Sequence, residues 1–462
     1  MKKVFILLPD GVGLRNFIYT DFLDHKGDSE LVVWTALDNL KLDNIDIIAL
    51  PKFKNSVIAE AKKRALTQSE IRLHAKKFNN PAFLDYLFPD NNNSVKNKLK
   101  NKLKDFYANK AEKSDENILN LRQSYLNSIR KSTYYQECLR SLKQHQPDFV
   151  FCTHQRTLVA VAPLLAAKEL GIPTGTFIFS WDNLPKGNLA VEADNYFVWS
   201  QYMADELQKY YPWVKKEQIR IVGTPQFIPY TDSTLHQSKE EFFKENGLDI
   251  EAKTICFSGD DETTSPFDER YLLDLAQTVQ SLNEKGLRKY QILFRRCPVD
   301  FSGRYDDIVE KYSDIIHVLD PIWSTPGDGS GWQGVVPLEA DSALLANSVK
   351  HSDLVVNVAS TMSIDFGLNG KTACYLDYNV NDEHPWDVHK IYNFIHFQTM
   401  DDLDPVYWIH SKDSMEEVVL KALTDNDNKL PNAMKWAQRV SLYPLEDANK
   451  RYWNEIHSIM EN

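Results

Sequence analysis

The chain has 462 residues, too many for one ordinary hydrophobic core, so two domains of roughly 200 residues each are expected. A hydrophobic content of 43% with 12% aromatics marks a folded protein, and no run of roughly 18 apolar residues is present to span a membrane. The five scattered cysteines (Cys138, Cys152, Cys256, Cys297, Cys374) form no CxxC or Cys/His cluster, which argues against a disulfide framework or structural zinc and for a reducing cytoplasm.

The N-terminus pairs two lysines with an apolar run too short for a signal peptide, so Val4–Leu8 is expected as a first strand. It runs directly into the turn Asp10-Gly11-Val12-Gly13-Leu14-Arg15-Asn16. The glycines permit close backbone approach to a ligand, but the spacing is not GxGxxG, so NAD is not expected. Further strands are predicted at Leu31–Trp34, Ile45–Ala49, Asp148–Cys152, Gly175–Phe179, Tyr196–Trp199 and Ile219–Val222, with helices at Thr157–Leu170 and Gln201–Tyr210. Alternating β and α elements imply a parallel sheet covered on both faces.

The stretch Lys52–Gln146 breaks that rhythm with helical pattern. Residues 51–113 carry 15 Lys and Arg against 6 Asp and Glu, a local +9 in a chain whose total is −12, which leaves −21 on the remainder. Near its middle, Phe83, Leu84, Tyr86, Leu87 and Phe88 form an aromatic-apolar patch. Beyond it Val95, Leu99, Leu103, Phe106 and Tyr107 recur at helical spacing among Lys96, Lys98, Lys100, Lys102 and Lys104. A Lys-rich helix beside aromatics fits an anchor on anionic lipid over 83–110; a solvated helix packed on the first domain fits too. Nucleic acid is not expected, because no binding motif accompanies the lysines and the whole chain is acidic.

A second alternating series follows Tyr230, with strands at Thr254–Ser258, Gln291–Arg295, Leu354–Val356 and Ala373–Leu376 and helices at Asp268–Glu284, Ser342–Lys350 and Met362–Leu368. A last helix is expected over Leu445–Met460, after Pro444. The turn Ala359-Ser360-Thr361-Met362-Ser363-Ile364-Asp365 joins a β-branched strand to a helix, with Ser360 or Thr361 at the N-cap. Free N–H groups and hydroxyls there suit a phosphate, and an ordinary capped helix is the alternative.

That turn, with Asp353-Leu354-Val355-Val356-Asn357 before it and Gly370-Lys371-Thr372-Ala373-Cys374-Tyr375 after it, resembles the donor-binding segment of GT-B glycosyltransferases of bacterial surface-carbohydrate type, and more distantly the CDP-glycerol glycerophosphotransferases. Ser180-Trp181-Asp182-Asn183, Ala193-Asp194, Trp199-Ser200 and Val222-Gly223-Thr224-Pro225-Gln226-Phe227 extend the resemblance in order. Phe294-Arg295-Arg296-Cys297-Pro298 is similar to a strand end of those enzymes, with Cys297 where a His is usual.

The resemblance implies an α/β chain of GT-B fold, two Rossmann-like domains facing each other across a cleft, with a helical insertion in the first. The expected parts are an acceptor-side domain over 1–230 (insertion about 52–146), a nucleotide-donor domain over 231–440, and a C-terminal helix over 441–462 returning to the first. It implies transfer of a sugar from a nucleotide-activated donor to a glycan acceptor, lipid-linked, by a metal-independent enzyme without cofactor, peripheral on the inner face of the cytoplasmic membrane. A UDP-sugar 2-epimerase, a glycerophosphotransferase, and a non-catalytic nucleotide- or glycan-binding protein are the alternatives.

On that scheme Asp10 or His154 is the catalytic base, although Asp10 also suits a turn cap and His154 a structural role. Gly11, Gly13, Arg15, Asn16, Arg156, Trp181, Asp182 and Asn183 line the acceptor side. Ser360, Thr361, Met362, Ser363, Asp365, Ser258, Gly259 and Asp260 face the donor. Arg295 and Arg296 serve as guanidinium clamps or as a salt-bridged pair. The Asp260-Asp261-Glu262 run is taken as a loop facing the donor rather than a metal site.

Overall fold

The computed structural model describes residues 1–38, 40–54, 56–87, 95–187, 189–286, 288–324, 335–381 and 383–461, and for Val95, Lys96 and Leu99 the backbone alone. The chain divides into two compact units. The first comprises Met1–Pro225 and two later pieces, Phe394–His396 and the chain from Leu442 onward; the second comprises Gln226–Asn393 and Phe397–Ser441.

In the first unit, β1 (Lys3–Leu8), α1 (Val12–Phe17), β2 (Glu30–Thr35) and β3 (Asp46–Ala49) are followed by four helices: α2 (Val57–Lys77), α3 (Val95–Ala111), α4 (Asp115–Arg130) and α5 (Thr133–His145). Then come β4 (Phe149–Cys152), α6 (Val161–Glu169), β5 (Thr174–Phe177), β6 (Asn195–Val198), α7 (Gln201–Tyr210) and β7 (Ile219–Ile221). The strands pair in parallel in the order β3-β2-β1-β4-β5-β6-β7. β1 and β4 are buried along nearly their whole length, which explains their continuous apolar runs.

The second unit starts with α8 (Lys239–Glu245), β8 (Lys253–Ser258), α9 (Asp268–Glu284), β9 (Tyr290–Arg295), α10 (Asp306–Lys311) and β10 (Ile316–Leu319). A short antiparallel pair, β11 (Trp323–Ser324) and β12 (Val336–Pro337), precedes α11 (Ala340–His351), β13 (Leu354–Asn357), α12 (Met362–Leu368) and β14 (Thr372–Leu376). After α13 (Val388–Tyr392), β15 (Tyr407–Ile409), α14 (Lys412–Thr424) and α15 (Leu430–Val440), the last helix, α16 (Ala448–Glu461), belongs to the first unit. The second sheet is also all parallel, in the order β10-β9-β8-β13-β14-β15.

Helix α16 places Tyr452 in an aromatic cluster, stacked on Phe197 at 5.3 Å and edge-on to Phe17. Trp453 Nε1 donates to the Phe22 carbonyl at 2.6 Å. Two parallel sheets with helices are what the alternating pattern predicts. The edge strands β10 and β15 lie outside the predicted set, because three or four residues are too few to show a period.

Part of the basic segment expected as a lipid anchor is built into the core. Phe83 and Tyr86 are buried, Phe83 among His74, Phe78 and Tyr210, so they are core residues rather than insertable ones. Lys100 pairs with Glu60 and Lys104 with Asp105, while Lys98, Lys102 and Phe106 remain exposed. Phe88 and residues 89–94 of that segment lie outside the described residues. No described helix is long and apolar enough to cross a membrane.

Candidate functional site

Each sheet reverses its winding once. In the first, β2 and β3 build outward on one side of β1, and the chain then returns to place β4 on the other. In the second, the same reversal falls between β8 and β13. Ligands of open α/β sheets bind at the carboxyl ends of strands flanking such a switch point. Asp10 follows β1 and His154 follows β4; Ser258 ends β8 and Ser360 follows β13.

At the first switch point the two base candidates meet. His154 Nδ1 lies 2.8 Å from Asp10 Oδ2, and Asp10 Oδ1 accepts the Val12 N–H at 3.2 Å. The carboxylate therefore accepts from a protonated Nδ1, and Nε2 is left as the lone-pair nitrogen. Nε2 is buried and has no hydrogen-bond partner within the protein, while the ring packs on Phe179 at 4.8 Å. An unsatisfied buried acceptor costs about 1–3 kcal/mol, a cost that a proton donor brought by a ligand would remove. Gly13 is required here, since a Cβ would stand 2.4 Å from Thr153 Oγ1.

Gln155 ties the neighbouring loops together. Its Oε1 accepts from Phe179 N, its Nε2 donates to Asn183 Oδ1, and its carbonyl accepts from Ala190 N. Asn183 Nδ2 in turn donates to Asp182 Oδ1 at 2.8 Å. Asp182 pairs with Lys186, which against the opposing effect of burial holds its carboxyl well below the usual carboxylate range. Trp181 meets His396 edge-on at 4.8 Å, and His396 contacts the Tyr86 hydroxyl at 3.1 Å; burial lowers that imidazole to about 3. Trp181 and Asn183 are thus buried and held by protein partners, Gly11 and Asn16 are buried, and Arg15 is half-buried. Arg156 is exposed beside His154.

Glu206, buried on α7, is pushed up to about 8 by desolvation, with Lys209 opposing and Asp182 adding to the shift. A carboxyl raised on folding has its stabilising effect intact below the unfolded value near 4.5 and loses it as pH climbs towards 8. Glu206→Gln should therefore flatten the pH dependence of unfolding between about pH 5 and 8, a difference of roughly 4 kcal/mol at about 1.36 kcal/mol per pKa unit. Urea unfolding of both proteins at the two pH values measures this, and equal slopes would contradict it.

At the second switch point, Asn357 organises the turn. Its Oδ1 accepts from Ser360 N at 2.8 Å, and its Nδ2 donates to Ser363 Oγ at 3.1 Å. Ala359 has φ +56, which turns the chain sharply before the helix. Thr361 occupies the N-cap position without a side-chain cap, while Ser360 Oγ accepts the Met362 N–H at 3.3 Å and lies 3.4 Å from Ser258 Oγ. Met362, Ser363 and Asp365 are buried in the first turn of α12.

Beside them Gly259 leads into Asp260, whose carboxyl is raised well above its ordinary value by burial and by the Asp268 and Asp261 carboxylates. A neutral acid there would not repel a phosphate. Arg304 braces this loop, donating to the carbonyls of Asp260 and Ser265 and pairing with Asp300. Arg295 is engaged by buried Asp341 through one nitrogen to both oxygens, at 2.9 and 3.0 Å, and Arg296 pairs with Asp320 and Asp306. These guanidiniums hold protein carboxylates. Among the described residues no group of three or more His, Cys, Asp or Glu is placed to hold a metal. Asn357, Gln155 and Arg304 lie outside the residues predicted from sequence. Asn357 has a visible signal, an amide ending a β-branched strand just before a hydroxyl-rich turn.

In sequence, no family model and no curated protein matches the chain. Solved structures match it end to end. The Staphylococcus aureus MnaA–UDP co-structure superposes with TM-score 0.53 at 12% identity, covering 100% of this chain and 97% of that one. A UDP-GlcNAc 2-epimerase from Methanocaldococcus jannaschii gives 0.54 at 11% identity, with 99% of each chain covered. The wall teichoic acid polymerase TagF, as a substituted variant soaked with CDPG, gives 0.51 at 10% identity over 99% of this chain and 88% of that one. These are GT-B enzymes, and the chain has the GT-B fold.

Proposed function

We propose that this chain is a metal-independent glycosyltransferase that moves a sugar from a nucleotide-activated donor to a hydroxyl of a lipid-linked glycan in surface polysaccharide assembly. The observation that carries this reading is the Asp10–His154 pair, with an unpartnered Nε2 at the carboxyl-end switch point of its sheet. Nε2 takes the acceptor hydroxyl proton as the oxygen attacks the anomeric carbon, and Asp10 stabilises the imidazolium that forms. The departing diphosphate is received by the Asn357–Ser363 turn, where hydroxyls and the start of α12 face developing negative charge. UDP in the MnaA structure supports a nucleoside diphosphate as the class of leaving group. Peripheral docking on an anionic inner membrane face belongs to the same proposal and rests on the +9 segment with exposed Lys98, Lys102 and Phe106.

Replacing Ser360 and Thr361 together by alanine should weaken nucleotide binding at least about tenfold, the loss of one or two hydrogen bonds to a charged group, with folding intact. Calorimetric titration across UDP-, GDP-, CMP-, CDP- and dTDP-sugars measures this and names the donor; unchanged affinity in the double variant would move the site elsewhere. The end-to-end likeness to the Methanocaldococcus enzyme favours a second reading, UDP-sugar 2-epimerisation. Incubation with nucleotide sugar alone separates the two, because an epimerase turns over without acceptor and a transferase does not.

A further inference from the structure

A cavity of about 190 Å³ lies within the first unit, away from any residue given a role above. Phe53, Ile129, Leu158 and Ala162 give it apolar walls, serine and threonine residues line it too, and Lys54 is among its lining residues. Phe53 and Lys54 come from the segment after β3, and Leu158 from the segment after β4 that also carries His154. The cavity therefore lies at the same carboxyl end of the sheet as the Asp10–His154 pair. A cavity of ~150 Å³ holds a benzene, so this one has room for about six carbon atoms of an alkyl chain, the remainder of which would lie outside it.

Its surroundings are unusual for a protein interior open to water alone. Val57 and Ile58, beside the lining residues Ser56 and Ala59, are 40% and 53% exposed. Lys52, Lys54 and Lys131 are exposed, and none has an ion pair among the described residues. In sequence Lys131 falls between the lining residues Ile129 and Ser132. An apolar slot, exposed aliphatic side chains and unpaired ammonium groups together match a molecule with an alkyl chain and an anionic head.

We propose that this cavity receives the alkyl chain of an amphiphilic acceptor, whose phosphate head rests against Lys54 and Lys131. This deepens the acceptor half of the function proposed above and rests on that reading only in calling the ligand an acceptor. Binding of decyl phosphate, followed by calorimetry without donor or turnover, is the test. Decyl phosphate should bind the full chain, and inorganic phosphate should compete at least a hundredfold less well. Ala162→Leu, which fills the slot, should weaken decyl phosphate at least tenfold. Lys54→Glu with Lys131→Glu should weaken it at least tenfold while changing decyl maltoside binding less than twofold. The lysine variant lies on the surface, so it decides the matter even if the cavity variant does not fold. Wild-type affinity in the lysine variant, or inorganic phosphate competing as well as decyl phosphate, would overturn the proposal. Asp10→Asn should bind decyl phosphate normally, so failure of the transfer reading and failure of this one are told apart.

Discussion

Replacing His154 by alanine should lower turnover by about 10²–10⁴-fold while nucleotide affinity stays within about twofold of the parent protein. The magnitude is that of a positioned general base, and its restriction to kcat follows from address: His154 belongs to the first unit, whereas the proposed diphosphate turn lies in the second. Asp10→Asn should be comparably damaging for a different reason. An amide in place of Oδ2 can donate to Nδ1, which moves the imidazole proton to Nε2 and removes the lone pair that accepts the substrate proton. Exchanging carboxylate for amide behind a catalytic histidine costs about 10⁴ in kcat in the serine protease triad. Added imidazole should partly restore His154→Ala and leave Asp10→Asn unchanged. Near-normal turnover in both variants would sink the assignment of this pair as the base.

The addresses of these residues are legible in the sequence, and their relationships are not. Asp10 and His154 each stand just past an apolar strand, which is enough to flag them singly. That they touch depends on β4 returning beside β1 after a long helical excursion, and no local pattern encodes it. The conformation of the turn after β13 reads well because it is local: strand, left-handed residue, hydroxyls and helix follow one another directly along the chain. Arg295 shows the opposite case. Its position at the end of β9 is as the pattern says, but its partner Asp341 arrives from α11, so a candidate phosphate ligand is a buried ion pair in the fold. The basic island is hard to read from sequence for a related reason. Net charge counts residues without their partners, and Lys100 on α3 is matched to Glu60 on α2, with Lys104 matched to Asp105 beside it.

Arg122→Ala should destabilise the first unit by about 3–5 kcal/mol. Arg122 and Glu70 are buried, with side chains 4% and 2% exposed, and bond at 2.8 Å between α4 and α2. The guanidinium also donates to the Leu189 carbonyl at 3.1 Å and lies over the Trp213 ring at 4.9 Å. Removing it leaves the Glu70 carboxylate without its partner in a place water does not reach, and that uncompensated charge is the main cost. Glu70→Leu with Arg122→Met should recover most of the loss, since an apolar pair of similar volume has no charge to desolvate. Urea unfolding of the single and double variants measures both statements, and a loss under about 1 kcal/mol for Arg122→Ala would show the pair to be dispensable. The consequence reaches the reaction. Arg122 holds residue 189, and Ala190 and Val191 donate to the carbonyl of Gln155, the residue after His154. A weakened Arg122 anchor should therefore loosen the loop that carries the proposed base. The destabilised single variant should then also lose kcat at temperatures where it remains folded, and the apolar double variant should not regain it fully because the bond to Leu189 is gone.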